Sequence, residues 1–282
     1  MYSFNFERIF FKVRIGLIKL IVALGGAVPF AFMYDGAWAV LAVAIAFVCS
    51  YIAVNILFWL ITIALAVISG FGKNEKKNSR FFAFWLNTAI TEVCWLARIK
   101  VNAVGMEKLP KVPYLLVCNH RSNFDNFVIT SVLRDPMLVF ISKPSNFRIP
   151  FAGRLIKRCG YLAIDRENPR NALKTIHTSA DLIKTENMSV AVFPEGTRGR
   201  EDGVAEFSEG CFLIAKKAAC PVVVTSLTET DKIHSRFPFK TKVRFEIVDI
   251  ISAEDVKAKR SGELSEIAHK LITDSYLANR TV

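Results

Sequence analysis

The sequence predicts an α/β domain with a mostly parallel central sheet flanked by helices, preceded by an N-terminal membrane helical hairpin. Two observations predict this fold class. First, two long apolar runs occupy the start of the 282-residue chain, in which 52% of the residues are hydrophobic. Second, the rest of the chain alternates short apolar strand-like runs with longer helix-like stretches, a pattern typical of a parallel sheet covered on both faces.

Each of the two apolar runs is long enough to cross a bilayer. Ile15 to Met33 is apolar except for Lys19, and Ala37 to Phe71 has no charged residue. A crossing needs about 20 apolar residues. Splitting the second run at Asn55 would leave no room for a loop, so a third span is excluded. Lys19 lies near one end of its run, and we expect its ammonium group to snorkel to the lipid head groups.

Basic residues on the two outer flanks of the hairpin predict its orientation. Three basic residues lie within residues 8–14 and four within residues 73–80, whereas only Tyr34-Asp35-Gly36 separates the two runs. Lys and Arg are enriched on the cytoplasmic side of membranes, so both outer flanks are expected there. A shallow re-entrant hairpin would leave the same charge pattern and stays open. We therefore expect an integral membrane protein whose globular domain is cytoplasmic.

Three regions are predicted along the chain. Residues 1–72 form the membrane hairpin, residues 73–80 a polar linker, and residues 81–282 one cytoplasmic α/β domain. An aromatic-rich helix opens this domain and either packs on the core or lies in the membrane interface. Strands are predicted at Lys100–Val104, Tyr114–Cys118, Met137–Ile141, Tyr161–Ile164, Ser189–Phe193, Val222–Leu227 and Lys242–Val248. Helices are predicted at Phe124–Leu133, Pro150–Cys159, Pro169–Lys184, Ser208–Ala219 and Ser261–Asn279.

Charge and cysteine spacing exclude several classes of function. The formal net charge is +12, which draws a membrane-tethered domain to anionic lipid head groups. Because no dense basic stripe is interleaved with aromatic residues, we expect no nucleic-acid partner. The six cysteines show no Cys-x-x-Cys spacing, which argues against a zinc site and against a disulfide framework. We expect no metal.

A histidine and an aspartate lie together at the end of a predicted strand, within the run Asn119 to Asp125. His120 is followed five residues later by Asp125. An imidazole accepts a proton near neutral pH, and a carboxylate bound to its other nitrogen fixes the tautomer. If Ser122 caps the following helix, Asp125 lies in the first turn and faces back towards His120. The pair therefore predicts a general base with its orienting carboxylate.

A second polar segment, Pro194 to Arg198, follows a later apolar strand. Arg198 offers a planar fork that can bind a phosphate through two hydrogen bonds, and Arg200 could assist it. Gly196 permits a close backbone approach, and Thr197 can donate a hydrogen bond. Glu195 would repel a phosphate, so we expect it to accept from a substrate hydroxyl or to hold an arginine. Both polar segments are expected at the same rim of the sheet.

With Lys143, Pro150-Phe151-Ala152-Gly153 and the later Asp165-Arg166, these segments resemble the motif blocks of the 1-acylglycerol-3-phosphate acyltransferase family. The resemblance covers roughly residues 80 to 250. It implies a glycerolphosphate acyltransferase-like fold. It also implies transfer of a fatty acyl group to a lysophospholipid, most simply 1-acylglycerol 3-phosphate. The donor is an acyl-CoA or acyl-carrier-protein thioester, a co-substrate, and no cofactor is implied.

The resemblance assigns roles to the individual residues of these segments. His120 and Asp125 are the expected catalytic residues. The expected phosphate ligands are Lys143, Arg166, Arg198 and Arg200. The expected substrate-positioning residues are Asn119, Glu195, Gly196 and Thr197.

Departures from the family pattern leave the acceptor and the acyl pocket open. Val224 stands where the family often has a second proline, and Phe207-Ser208-Glu209 stands where a lysine is frequent. Other lysophospholipids and glycerol 3-phosphate therefore stay open as acceptors. Two other classes also stay open: a lipid ester hydrolase, although the chain has no Gly-x-Ser-x-Gly elbow, and a non-catalytic lipid-binding membrane protein.

Overall fold

The computed structural model describes residues 15–70, 78–199 and 203–280. The chain divides into two compact units, Met1–Phe71 and Gly72–Val282.

The N-terminal unit is a pair of apolar helices that pack against each other. Helix α1 spans Ile15–Ala27 and continues as a 3-10 helix over Val28–Phe32, which has a proline in its first turn. Helix α2 spans Gly36–Ile68. Gly36 has a φ of +62°, a conformation that glycine adopts without strain, and this permits the tight reversal between the helices. The two helices therefore form a helical hairpin, and its insertion in a membrane stays a prediction.

The two helices differ in length, and the crossing of a bilayer by the shorter one stays a prediction. Within the described residues, α2 is the one helix long and apolar enough to cross a membrane. It has 33 residues. The described part of α1 has 13 residues and the 3-10 helix that continues it has five, a combined rise of about 30 Å, which is close to the thickness of the hydrocarbon core of a bilayer. Two adjacent glycines and a proline near the end of the first apolar run favour the change from α-helix to 3-10 helix.

Lys19 does not extend towards the head groups as predicted. Its side chain is 2% exposed, and its Nζ donates a hydrogen bond to Asn55 Oδ1 at 2.9 Å. Nζ also lies 4.1 Å from the centre of the Phe58 ring. An ammonium group among apolar side chains is costly unless it is paired, and Asn55 is the most polar interior residue of the facing helix. The pair therefore fixes the register of α1 against α2.

The C-terminal unit alternates strands and helices around one sheet. The strands are β1 Ile99–Val104, β2 Leu115–Cys118, β3 Leu138–Ser142, β4 Leu162–Ala163, β5 Ser189–Val192, β6 Val222–Thr228 and β7 Thr241–Ile251. The helices are α3 Arg80–Leu96, α4 Asp125–Leu133, α5 Ala152–Arg158, α6 Pro169–Thr185, α7 Phe212–Ala218, α8 Lys232–Arg236, α9 Ala253–Ala258 and α10 Ser261–Asn279. Short 3-10 helices occur at Met106–Lys108, Pro144–Arg148 and Glu209–Cys211.

The predicted fold class is confirmed: the sheet is mostly parallel. Its strand order is β1-β7-β6-β2-β5-β3-β4, and β6 with β7 is its antiparallel pair. The central strands β2, β5 and β6 are buried on both faces, which explains their largely apolar sequences. All seven predicted strands are present with shifted ends. Helices α8 and α9 were not predicted, because at five and six residues they are too short to show a helical period.

The start of the C-terminal unit differs from the predicted linker boundary. Residues 73–77 of that linker lie outside the described residues. Helix α3 begins at Arg80, the last residue of the predicted linker. One face of α3 is buried through eight residues, so this helix packs on the domain, whereas Trp95 near its end is 61% exposed.

The polar segments of the sequence meet at one rim of the sheet. Strands β6, β2, β5, β3 and β4 run parallel, so their carboxyl ends lie on the same side. His120 follows β2, Lys143 follows β3, Arg166 follows β4 and the segment from Pro194 follows β5. In open sheets of this kind, ligands bind beyond the carboxyl ends of the strands. We call this side the carboxyl rim.

Candidate active site

The imidazole of His120 and the carboxylate of Asp125 form a hydrogen-bonded pair at the centre of the carboxyl rim. Nδ1 of His120 lies 2.7 Å from Oδ2 of Asp125. The aspartate side chain is fully buried, whereas 21% of the histidine side chain is exposed. Because a carboxylate accepts from Nδ1–H, the lone pair of Nε2 is free to accept a proton. The pair therefore has the arrangement of a general base and the carboxylate that orients it.

Asp125 is the first residue of α4 and is held by the loop that it closes. Its Oδ2 also accepts hydrogen bonds from the backbone N–H of Arg121 at 2.7 Å and of Ser122 at 2.8 Å. Phe124, and not Ser122, directly precedes α4, and the Ser122 hydroxyl accepts from the Phe124 N–H. The expected position of Asp125, in the first turn and facing His120, is confirmed.

Phe193 supports the histidine ring, a role that the sequence did not suggest. The rings of His120 and Phe193 stack with centroids 4.3 Å apart and planes inclined by 18°. Phe140 stacks behind Phe193 at 6.3 Å. Strands β2, β5 and β3 are neighbours in the sheet, which brings these three rings together. The stack covers one face of the imidazole and limits its rotation. The sequence signal for this role was the position of Phe193, an aromatic residue directly before the second polar segment.

Glu195 joins the two polar segments through its two carboxylate oxygens. Oε1 accepts from the backbone N–H of His120 at 2.6 Å, and Oε2 accepts from the N–H of Ala205 at 3.1 Å. In return, the N–H of Gly199 donates to the carbonyl of His120 at 2.9 Å. Burial raises the pKa of Glu195, and the two backbone N–H donors oppose this shift. Glu195 therefore holds the backbone of the histidine in place, and its expected contact with a substrate hydroxyl stays a prediction.

Asn119 does not occupy the substrate-positioning place that was expected for it. It is fully buried, its Nδ2 donates to the carbonyl of Leu227 at 2.8 Å, and its Oδ1 accepts from the Leu227 N–H at 2.8 Å. Leu227 lies in β6 next to the end of β2, so the amide continues the pairing of the two strands by one residue. Asn119 therefore fixes the end of β2 immediately before the histidine through both polar atoms of its amide.

Replacing Asn119 with alanine is expected to destabilise the protein. The substitution leaves a buried N–H and a buried carbonyl of Leu227 without partners, at a cost of about 2–4 kcal/mol for the two groups. Denaturant unfolding in detergent should show this loss in the free energy of unfolding. Asn119→Asp should also destabilise, because a carboxylate cannot donate to the carbonyl. Alanine at the exposed Asn102 serves as the control. An unchanged unfolding midpoint for Asn119→Ala would show that the two hydrogen bonds are dispensable.

The cationic side chains expected to bind phosphate lie around the rim, and the structure describes three of the four. Lys143, Arg166 and Arg198 are all exposed. Arg200 lies outside the described residues. Thr197, also exposed, precedes Arg198 in the loop after β5. These side chains are therefore accessible to an anion at the same rim as the histidine.

Gly196 lies against the guanidinium group of Arg166. Its φ is +76°, and a Cβ atom at this position would lie 2.8 Å from Nη1 of Arg166. Its conformation and its lack of a side chain let the guanidinium group of Arg166 lie against the loop that carries Arg198. Gly196 therefore gives room to the guanidinium group of Arg166. The spacing of the two residues along the sequence did not reveal this contact.

Arg121 is a second residue that the sequence did not single out. Its Nη1 donates to the carbonyl of Gly203 at 3.1 Å, and its guanidinium carbon lies 5.5 Å from the centre of the Tyr276 ring. Tyr276 belongs to the C-terminal helix α10, so Arg121 links the histidine loop to the end of the chain. Its position directly after the histidine was the available signal.

The thiols of the C-terminal unit are not activated nucleophiles. Burial raises the pKa of Cys94 and Cys220 to about 11 and that of Cys159 and Cys211 to about 12. It also raises the pKa of Cys118, two residues before the histidine. A thiol attacks as its thiolate, which a raised pKa disfavours. Across residues 15–70, 78–199 and 203–280, no group of three or more His, Cys, Asp and Glu is arranged to hold a metal ion.

Comparison with known proteins identifies the family. The acyltransferase family model matches residues 100–228, which include His120, Asp125 and Arg198. The 1-acyl-sn-glycerol-3-phosphate acyltransferase of Haemophilus influenzae is 33% identical over 159 residues, which are 56% of this chain and 66% of that protein. The protein of the same name from Chlamydomonas reinhardtii is 37% identical over 136 residues, which are 48% of this chain and 40% of that protein.

A solved structure shares the fold. The crystal structure of the 1-acyl-sn-glycerophosphate acyltransferase PlsC from Thermotoga maritima matches with a TM-score of 0.58 and 20% identity, over 80% of this chain and 95% of that one. The chain spans only part of the length of the two relatives above, 66% and 40%. The matched motifs, the relatives and the shared fold lead to one conclusion: the chain belongs to the acyltransferase family that includes the 1-acyl-sn-glycerol-3-phosphate acyltransferases.

Proposed function

We propose that this protein is a membrane-bound O-acyltransferase of phospholipid biosynthesis. It transfers a fatty acyl group from an acyl-CoA or acyl-carrier-protein thioester to the free hydroxyl of 1-acylglycerol 3-phosphate and yields phosphatidic acid. The relatives named for this activity support the proposal. One observation carries it: the His120–Asp125 pair lies on the same rim as exposed arginine side chains, with Glu195 joining the two polar segments.

The proposed reaction is a direct transfer assisted by one base. Nε2 of His120 takes the proton of the acceptor hydroxyl as that oxygen attacks the thioester carbonyl. The carbon–sulfur bond then breaks, and the imidazolium returns the proton to the departing thiolate. The carboxylate of Asp125 stabilises the imidazolium in between. The thioester is the co-substrate. Because each proton is accounted for, no further cofactor is proposed.

The acceptor phosphate is proposed to bind the cations around the histidine. Arg198 is the leading ligand, because a guanidinium group binds a phosphate through two parallel hydrogen bonds. Arg166, which lies against the same loop, widens the cationic site. Lys143, at the end of β3, contributes a third positive charge. Arg200 is proposed to assist on the strength of its position in the sequence.

A panel of acceptors tests this proposal. Purified full-length protein is supplied with one thioester donor and, in turn, with 1-acylglycerol 3-phosphate, other lysophospholipids, glycerol 3-phosphate and uncharged monoacylglycerol. Products are identified by mass spectrometry, and the panel is repeated with the second donor class. We expect phosphatidic acid as the major product and little use of monoacylglycerol. Preference for an uncharged acceptor would overturn the anion site, and release of free fatty acid alone would indicate a hydrolase.

Replacing Arg198 with lysine should not be a neutral change. Lysine keeps the positive charge but loses the two-pronged geometry. We expect the KM for the phospholipid acceptor to rise about tenfold, the loss of one charge-assisted hydrogen bond, with the KM for the thioester unchanged. Arg260→Lys is the matched control, because that guanidinium is 88% exposed on another part of the chain. A rise in the KM for the thioester alone would assign Arg198 to the donor.

We propose that the C-terminal unit lies on the cytoplasmic side of the membrane. The basic flanks of the N-terminal pair of helices support this orientation, and acyl thioesters are cytoplasmic metabolites. A reporter fused after Val282 should be active in the cytoplasm. A tag at Met1 should be labelled from the cytoplasmic side, whereas a small tag inserted at Asp35 should not. Exposure of the Val282 reporter on the opposite side would overturn the orientation.

A further inference from the structure

A second group of exposed side chains lies on the carboxyl rim, away from the histidine. After β6 the chain passes through α8 and a loop to the start of β7. Because β7 is antiparallel to β6, its first residue, Thr241, lies at the carboxyl end of β6. Strand β1 is parallel to β7 with Ile99 opposite Thr241, so the end of α3 also reaches this rim. The N–H of Thr241 donates to the carbonyl of Arg98 at 3.2 Å and joins the two segments.

Large apolar side chains in both segments are exposed. Phe239 is 75% exposed, Phe237 60%, Trp95 61% and Leu96 48%. All seven residues from 234 to 240 are exposed. Single exposed apolar residues are common, but adjacent large ones mark an interaction surface. These four side chains lie outside the core of the domain, so a partner is needed to bury them.

The polar residues around these side chains carry one sign of charge. Residues 93–106 and 232–242 contain no Asp or Glu. The exposed basic residues of the two segments are Arg98, Lys100, Arg236, Lys240 and Lys242. We call these five residues, with Trp95, Leu96, Phe237 and Phe239, the aromatic–basic patch. Its partner must offer both negative charge and an apolar layer.

We infer that the aromatic–basic patch docks on an anionic phospholipid bilayer. Tryptophan and phenylalanine side chains enter the interface between head groups and acyl chains, while Lys and Arg contact the anionic head groups. An acidic protein would satisfy the five cations but would leave the apolar side chains in water. A bilayer satisfies both. The patch belongs to the C-terminal unit, and it forms a second membrane contact of the chain.

Docking at this patch would turn the carboxyl rim towards the lipid. The patch lies on the rim where β6 ends and where β7 and β1 begin. His120 lies on the same rim at the end of β2, which neighbours β6. If the proposed acyl transfer holds, the acceptor can then reach the histidine without leaving the bilayer. This consequence rests on the proposed function, whereas the docking itself does not.

Site-directed spin labelling measures the docking without any assay of activity. Cys49, which is exposed, and Cys211, which is partly exposed, are first replaced with serine. Nitroxide labels are then placed by Phe239→Cys and, separately, by Phe237→Cys. The control label is placed by Val112→Cys, an exposed apolar position before β2 and so at the opposite rim. The full chain is reconstituted in vesicles of phosphatidylcholine with and without phosphatidylglycerol.

In vesicles containing phosphatidylglycerol, we expect labels at 237 and 239 to collide more often with oxygen than with a water-soluble nickel complex. The label at 112 should show the reverse. Removing phosphatidylglycerol should raise the nickel accessibility at 239. Equal nickel accessibility at 239 and 112 would overturn the proposal. Immobilisation at 239 only after addition of acyl carrier protein would assign the patch to an acidic protein instead.

A second arm measures the contribution of the patch to catalysis. Phe239→Ser/Lys240→Glu removes one exposed apolar side chain and reverses one charge. Lys111→Glu/Val112→Ser is the control, because it also removes one exposed apolar side chain and reverses one charge, but at the opposite rim. We expect the first double variant alone to raise the KM for a bilayer-held acceptor about tenfold. Its activity on a short-chain acceptor in detergent should be unchanged. An equal loss in detergent would contradict docking, and the label measurement stands even if no acyl transfer is found.

Discussion

Replacing His120 with alanine is expected to reduce acyl transfer by at least about 100-fold, the usual scale of general-base catalysis. The substitution removes the proton acceptor, whereas the exposed cations that we propose for the acceptor phosphate remain. The fold should persist, because Asp125 Oδ2 still accepts the two backbone N–H groups of the loop. Initial rates with 1-acylglycerol 3-phosphate in detergent, together with the melting temperature, measure the two effects separately.

The matched control for this variant is His177→Ala. His177 is an exposed histidine on α6 and has no part in the proposed site. Its replacement should leave the rate unchanged. The assignment of the base would be refuted by near-normal turnover of His120→Ala. A large fall in its melting temperature would instead show that the histidine is needed for the fold.

Replacing Asp125 with asparagine is expected to lower kcat by about 100-fold or more, because an uncharged amide stabilises an imidazolium poorly. The two side chains have the same shape. The amide oxygen can take the place of Oδ2 and keep the bonds to His120 Nδ1 and to the loop. The amide nitrogen then takes the place of Oδ1, which has no hydrogen-bond partner among the described residues. The loss therefore reports charge and not misfolding.

This second prediction is tested by measuring kcat and the KM for the acceptor separately. The KM for the acceptor should change little, since Asp125 is fully buried and contacts no substrate. Asp181→Asn, an exposed carboxylate on α6, is the control. If Asp125→Asn retains full kcat, the carboxylate serves only to shape the loop. Combining it with His120→Ala should cost no more than His120→Ala alone, because the two residues act as a unit.

The pairing of His120 with Asp125 was predictable because it is local. Five residues separate them, and they bridge the end of a strand and the first turn of a helix, so backbone geometry decides their distance. The strands were also predictable, since buried parallel strands read as short apolar runs. The location of both polar segments at one rim of the sheet was predictable from the alternation of strands and helices, which indicates a parallel sheet.

The roles of Asn119 and Glu195 were not predictable, because they depend on which strands are neighbours. Asn119 meets Leu227, 108 residues later, only because β2 lies beside β6. Glu195 meets the backbone of His120, 75 residues away, only because β5 lies on the other side of β2. Spacing along a chain does not give strand order. The contacts that these two side chains make with the backbone of other strands were therefore not predicted.

The change of helix type within the first apolar run was not predictable for a different reason. Hydropathy counts apolar residues without regard to their conformation. The run that begins at Ile15 is apolar except for Lys19, but its α-helix ends at Ala27, and Pro29 lies in the 3-10 helix that follows. Lys19 was likewise assigned to the head groups because its partner Asn55, 36 residues away, is defined only by the packing of the two helices.

A single-turnover experiment tests direct, base-assisted transfer most directly. Excess full-length protein is mixed with a thioester carrying a labelled acyl group and with 1-acylglycerol 3-phosphate, and samples are quenched over time. We expect the label to pass from the thioester to phosphatidic acid with the same time course and never to become attached to protein. Label trapped on the protein, or released as free fatty acid, would contradict the role of His120 as a base acting on the lipid hydroxyl.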